Sequence, residues 1–307
     1  MYVCIGMTPQ KRMYGSLMTP NELKSAMGTV KILDGSWHMP NAHRDPYKEY
    51  LEKRIPGSQF FGIDTIKDTS VDLPHMLPPP AVFAEAIGNM GISQDDHVVV
   101  YDTAGVFSAC RVYWTFKAFG HDTVSVLNGG LPLWEKIGGS IERGKPSAVE
   151  PKHYLVPKIN KNLVRDYQTV LATGRAVLQE ELTTTMNYKD GMRAQILDAR
   201  PYPRFTGEAP EPREGLSSGH MPGSISIPFN EVINTATGEM LDNDQLLQAF
   251  EGKGVDLSKE IITSCGSGIT ASILYLALER IGAKHLAVYD GSWTEYASKE
   301  DAIIIKD

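Results

Sequence analysis

Within the 307 residues one pattern of motifs is written twice, and this repeat constrains the fold more than any other feature. KILDGSWHMP (31–40) is echoed by QILDARPYPR (195–204), and KRIPGS (53–58) by GHMPGS (219–224). HVVVYD (97–102) is echoed by EIITSC (260–265), and LNGGLPLWE (127–135) by YDGSWTEYA (289–297). The offsets are nearly constant: Asp34 to Asp198 is 164, Gly57 to Gly223 is 166, and Asn128 to Asp290 is 162. Four matches in the same order mean one fold, twice.

Each copy opens with an apolar run ending in Asp, which predicts a buried strand. Residues 98–101 and 261–263 are short Val- and Ile-rich runs, again buried strands. A loop of small residues and a helical pattern follow each of them. In 271–282, Ile273, Leu276, Ala277 and Ile281 share one face, and Gly282 stops the helix. Strands alternating with helices predict an α/β fold in which each copy is a mainly parallel sheet flanked by helices. The expected organisation is a first domain over 18–140, a Gly-, Pro- and Lys-rich linker over 141–162 wrapped on the surface, and a second domain over 163–307.

Composition narrows the function. Thirty basic against 37 acidic residues give a net charge of −7, which speaks against direct nucleic-acid binding. No run reaches the 18 apolar residues of a membrane span, so a soluble protein is expected. The three cysteines, Cys4, Cys110 and Cys265, are too few for a disulfide framework and fit a reducing compartment. No CxxC pair exists, so no metal site is expected. Residues 1–21 carry Lys11 and Arg12 and no acid, which reads either as an untargeted terminus or as a weak mitochondrial targeting segment. A cytoplasmic location is expected, with the mitochondrion as a second one.

The copies differ where chemistry could reside. After the central strand the first has Asp102 and the second has Cys265, followed by Gly266-Ser267-Gly268-Ile269-Thr270 and a helix. Two glycines let successive amides curl toward one point above a helix N-terminus, which favours a thiolate or a persulfide there. A cysteine phosphatase would need an Arg six positions after the nucleophile; position 271 is Ala, and 264–272 holds no basic residue. Cationic charge must come from elsewhere, and PRFTGEAPEPREG (203–215) offers Arg204 and Arg213 on a Pro- and Gly-interrupted loop near the carboxyl end of a strand. The same arginines could instead be paired with Glu208 and Glu211. Cys110, on the helical stretch 108–119, reads as packing.

CGSGITA, PRFTGEAPEPR, GHMPG and YDGSWTEY, together with FFGIDTIKDTSVDLPHMLP (60–78), resemble the motifs of the tandem-rhodanese sulfurtransferases, and among them the 3-mercaptopyruvate type. The resemblance covers nearly the whole chain after about residue 18. It implies two rhodanese-like domains, the first catalytically silent because Asp102 cannot carry sulfur. Carried over by position, Cys265 becomes the persulfide-forming nucleophile, and Ser267, His75 and Asp64 form a relay that polarises the substrate. Arg204 and Arg213 bind the carboxylate and keto group of 3-mercaptopyruvate, with Gly266, Gly268, Ile269 and Thr270 completing the loop that receives it. The site then lies between the domains. Pro203, Ala209 and Tyr296 depart from the family pattern without removing a reacting group.

The resemblance further implies that sulfur passes to a thiol, to a protein acceptor such as thioredoxin, or to cyanide, with no cofactor. Two other readings stay open: thiosulfate as the main donor, and a persulfide relay serving tRNA thiolation. A monomer is expected.

Overall fold

The computed structural model describes residues 14–182 and 193–307, without the side chains of 180–182. Cys4 and most of the segment weighed as a targeting sequence lie outside the described residues.

In the first half, strands β1 (Leu17–Met18), β2 (Lys31–Asp34), β3 (Gln59–Phe60), β4 (Val98–Tyr101) and β5 (Val124–Leu127) form a sheet in the order β1-β5-β4-β2-β3. Every pairing is parallel. Helices α1 (Pro20–Ala26), α2 (Pro46–Glu52), α3 (Pro80–Asn89), α4 (Ala109–Ala118) and α5 (Gly130–Lys136) alternate with them. The second half repeats this with β6 (Val164–Arg165), β7 (Gln195–Asp198), β8 (Ile225–Ser226), β11 (Ile261–Ser264) and β12 (Leu286–Tyr289). Their order is β6-β12-β11-β7-β8, the same path through the sheet and again all parallel. Its helices are α6 (Tyr167–Leu182), α7 (Tyr202–Thr206), α8 (Asn243–Glu251), α9 (Ala271–Arg280) and α10 (Ser292–Tyr296). A short antiparallel hairpin, β9 (Ile233–Asn234) with β10 (Glu239–Met240), is inserted before α8.

The central strands VVVY and IITS are buried along their whole length, as β-branched runs covered on both faces must be. The repeat is visible in register: Asp34 faces Tyr101 across β2 and β4, and Asp198 faces Ser264 across β7 and β11. α4 and α9, the helices that follow the two central strands, pack against each other between the halves. Their side chains join one hydrophobic core that spans both halves. Tyr113 on α4 also donates its hydroxyl to Glu279 on α9.

Residues 141–162 run along the first half. Arg54 donates to the Glu142 carboxylate at 2.5 Å and to the Gly144 carbonyl at 2.6 Å. Tyr154 is buried with its ring edge-on to Phe83. Arg204 does not sit in a loop: Pro201-Tyr202-Pro203 opens the short α7, which carries it and ends at Gly207 with φ 96°.

Each half also reaches across to cap the other. The amide of Leu77 donates to Asp290 at 2.9 Å, and the amide of Met240 donates to Asn128 at 2.9 Å. These are one interaction made twice, since both partners are related by the sequence repeat.

Candidate active site between the halves

Cys265 follows β11 directly, and its side chain is buried where the chain turns toward α9. Gly268 adopts φ 84°, a left-handed turn suited to glycine, and this aims its amide at Cys265 Sγ from 3.1 Å. The amide of Cys265 is held by the hydroxyl of Ser292 at 3.3 Å. Ser292 itself has φ 50°, at the position where the first copy has Gly130 at φ 55°. Thr294 anchors the loop from the other side, donating to the Gly266 carbonyl through its amide at 3.0 Å and its hydroxyl at 2.7 Å.

The amides of Ser267 and Thr270 have no acceptor among the described residues. In the first copy the equivalent amides are occupied. Asp102 takes Ala104 on one carboxylate oxygen at 2.9 Å, and Phe107 and Ala109 on the other at 3.0 and 2.8 Å. Burial raises the pKa of Asp102 in spite of these bonds. The silent loop is thus an amide cradle filled by its own side chain; the Cys265 loop is the same cradle left open.

Cys265, Gly266, Ser267, Ile269 and Thr270 line a cavity of about 310 Å³. Arg200, Arg204 and Arg213 form its cationic side, and Trp37, Met39, Asn41 and Phe107 from the first half close it. No carboxylate among the described residues lines it. The two arginines expected to bind substrate are held differently. Arg204 forks onto Glu211, with Nε 3.1 Å from one oxygen and Nη2 on the other, and a Cβ at Gly266 would stand 3.2 Å from its Nη2. Glu211 is shared with Arg200, which it accepts at 2.8 Å and which also pairs with Asp198 at 2.6 Å. The alternative pairing with Glu211 therefore holds for Arg204. Arg213 is half-buried and has no ion-pair partner among the described residues. Burial lowers its pKa, Cys265 opposes this, and Arg204 adds to it, and Arg213, Cys265 and Arg204 line the same cavity.

His75 and Asp64 come together from the first half. His75 Nδ1 lies 2.7 Å from Asp64 Oδ1, and Trp37 Nε1 donates to Asp64 Oδ2 at 2.8 Å. Burial lowers the pKa of His75 against the opposing pull of Asp64, so its neutral form is favoured. Burial works to raise the pKa of Asp64, but its approach to the His75 ring, the Trp37 indole bond and Lys67 together outweigh it and the net shift is downward. Both ring nitrogens of His75 are buried and neither makes a hydrogen bond of good geometry, Nδ1 meeting Asp64 as a close contact, so no hydrogen bond joins His75 to Ser267. His75 and Asp64 stand behind Trp37, which lines the cavity, whereas Ser267 lines it directly.

The sequence reading missed Trp37, Arg111, Asp290 and Ser292. For Arg111 a signal existed: it is a lone cation in the otherwise apolar start of a helix that should be buried. For Ser292 and Asp290 the signal was their place in the repeated turn after the last strand.

Comparison with known proteins accords with this geometry. The chain is 39% identical over 287 residues to the probable 3-mercaptopyruvate sulfurtransferase of Schizosaccharomyces pombe, covering 92% of each. It is 40% identical over 271 residues to the thiosulfate sulfurtransferase of Rattus norvegicus, covering 87% of this chain and 85% of that one. The crystal structure of SseA from Escherichia coli, described as a 3-mercaptopyruvate sulfotransferase, superposes with a TM-score of 0.76 at 35% identity, covering 91% and 99%. The pattern of the rhodanese-like domain matches residues 19–137 and again 179–299, and the chain belongs to the rhodanese family.

Proposed function

We propose that the chain is a 3-mercaptopyruvate sulfurtransferase that carries sulfur as a persulfide on Cys265. The observation that carries this reading is the contrast between the two loops. The oxygens of Asp102 sit two bonds beyond Cβ and are gripped by the amides of Ala104 and Phe107. The outer sulfur of a Cys265 persulfide is also two bonds beyond Cβ, and the equivalent loop has the amides of Ser267 and Thr270 to offer it.

In this reading the Cys265 thiolate attacks the thiol sulfur of the donor, and the carbon–sulfur bond breaks. The electron pair of that bond passes to carbon, giving the enolate of pyruvate, which takes up a proton. Arg213 and Arg204 hold the carboxylate and stabilise the enolate charge at the cationic side of the cavity. Ser267, with His75 and Asp64 behind Trp37, polarises the donor, which requires the Ser267 hydroxyl and His75 Nε2 to meet when substrate enters. A thiol, thioredoxin included, or cyanide then attacks the outer sulfur and regenerates Cys265. The neutral Ile- and Gly-bearing loop favours a monoanionic donor over thiosulfate, whose two charges would gain from a cationic loop. The identity with a thiosulfate sulfurtransferase keeps thiosulfate as a second donor. We place the enzyme in a reducing compartment, the cytoplasm first and the mitochondrion second.

The test is to incubate reduced protein with 3-mercaptopyruvate and no acceptor, and to take intact and peptide mass spectra. One added sulfur is expected on the peptide containing Cys265, and none in Cys265→Ser. Unmodified Cys265 with either donor would sink the reading, and kcat/KM for the two donors ranks them.

A further inference from the structure

Arg111 sits on α4 of the first half with its side chain 2% exposed. Its Nη2 lies 2.6 Å from Asp290 Oδ1, in the turn after β12 of the second half, and also donates to the carbonyl of His75. Asp290 accepts the Leu77 amide on its other oxygen at 2.9 Å. One buried ion pair therefore ties the His75 segment to the turn beside the Cys265 loop. His75 has φ 61°, a conformation that a side-chain-bearing residue keeps only when its surroundings fix it.

The other arm of Arg111 faces the reactive loop. A Cβ at Gly268 would stand 2.6 Å from Nη1, and Nη1 is buried without a hydrogen-bond partner. Gly268 is the residue whose amide reaches Cys265 Sγ, so the guanidinium lies within roughly 8 Å of the sulfur. The silent copy lacks this feature. The residue 163 positions beyond Arg111 is Leu274, and a Cβ on the loop glycine of the first half, Gly105, would meet the backbone of Gly238 first. A buried cation has been placed against a loop only where that loop carries cysteine.

We propose that Arg111 is a positioning residue for sulfur transfer, fixing from the first half both the Gly268 turn that cradles Cys265 and the His75 segment beside it. This rests on the reading of Cys265 as the sulfur carrier. Arg111 does not touch the donor. It acts through Gly268 and His75, and its charge faces the loop as the loop gains negative charge. The other charged and titratable groups around the site are Arg213, Arg204 and Arg200 with Glu211 and Asp198, the His75–Asp64 pair and Asp290.

Full-length Arg111→Met, Arg111→Lys and Asp290→Asn test this through two readouts. One is kcat and KM for 3-mercaptopyruvate; the other is the pH midpoint for alkylation of Cys265 by iodoacetamide, read on its peptide. In Arg111→Met, kcat should fall about tenfold or more with KM within about threefold, and the midpoint should rise by about one pH unit. Arg111→Lys keeps the charge and should restore most of the midpoint but not kcat. Asp290→Asn removes the negative neighbour and should move the midpoint down.

A role confined to holding the halves together predicts lower thermal stability with the midpoint unmoved in all three. That result, or a KM change that accounts for the whole loss, overturns the proposal. Should Arg111→Met not fold, the two near-isosteric variants still decide: a downward midpoint in Asp290→Asn with a kcat loss in Arg111→Lys supports it, and a parent-like profile in both overturns it. A parent protein that forms no persulfide refutes the proposed function; an active parent with parent-like variants refutes only the role of Arg111.

Discussion

Trp37 donates its indole N–H to Asp64 at 2.8 Å while standing edge-on to the His75 ring, with centroids 4.7 Å apart. One side chain thus orients both members of the His75–Asp64 pair and also walls the cavity. Trp37→Phe keeps an aromatic ring against His75 but leaves Asp64 without the indole bond. A hydrogen bond to a charged group contributes about 1.5–3 kcal/mol, and the half-exposed Asp64 draws on the lower end, so kcat should fall about tenfold. Steady-state kinetics on 3-mercaptopyruvate check this, with unchanged kcat counting against it. The pH effect has a definite sign. Because burial depresses the His75 pKa below 6.5, its contribution to stability is full above that pH and is lost as pH falls through the folded value. Activity that depends on neutral His75 should persist at pH 6.5 and drop only below it.

Arg213 and Arg204 should respond unequally to the same change. Arg213 has no carboxylate bonded to it among the described residues, so it can fork onto the donor, whereas Arg204 is already engaged by Glu211. Arg213→Lys loses bidentate geometry and should raise KM for 3-mercaptopyruvate about tenfold, with a smaller effect on kcat. Arg204→Lys should cost less in KM and more in thermal stability, because it unsettles Glu211 and through it Arg200. Equal KM effects from the two variants would refute this division of labour.

The doubled fold could be read from sequence because strands with the pattern KILD, VVVY and IITS are buried on both faces, and buried strands leave an apolar signature. The Cys265 loop was legible for a similar reason: its glycines and small residues encode backbone geometry locally. What could not be read was every contact made across the halves. Arg111 and Asp290 are 179 positions apart, and nothing in either local sequence announces the other. The loop assigned to Arg204 turned out to be helical because Pro201 and Pro203 fit a first helical turn as well as they fit a loop. Glu211, one of two acids weighed as partners, is the one whose carboxylate is buried between Arg200 and Arg204.

Asp102 offers a test of the cradle without touching the reactive loop. Asp102→Ala leaves the amides of Ala104, Phe107 and Ala109 without their acceptor, and of these three that of Ala109 is fully buried. An orphaned buried donor costs about 1–3 kcal/mol, the amides of Ala104 and Phe107 can turn to water, and relief of the buried charge offsets part of the cost, so a net loss of about 1–2 kcal/mol is expected. Urea denaturation should register that loss, while persulfide formation on Cys265 proceeds at the parent rate. A stable variant would mean that the first loop rearranges freely and that its geometry says nothing about its twin.

The repeat also sets Asp34 against Asp198. Asp198 is neutralised by Arg200 at 2.6 Å, but in the first half the position of Arg200 is held by Ser36, an uncharged residue whose amide donates to Asp34 at 2.9 Å. Asp34 is fully buried with Oδ2 unpartnered, and burial raises its pKa from 3.8 to about 6, with the Ser36 hydrogen bonds opposing. A raised carboxyl pKa favours the fold below the unfolded value and penalises it as pH rises through about 6. Two pKa units correspond to about 3 kcal/mol at neutral pH, and an uncharged amide with one poorly placed N–H recovers about 2 kcal/mol of it. Asp34→Asn should therefore raise the thermal midpoint at pH 8, and the gain should shrink steadily through pH 6 and vanish by about pH 4. Thermal unfolding of parent and variant across that range measures the difference. A gain independent of pH would show that shape, not charge, limits this position.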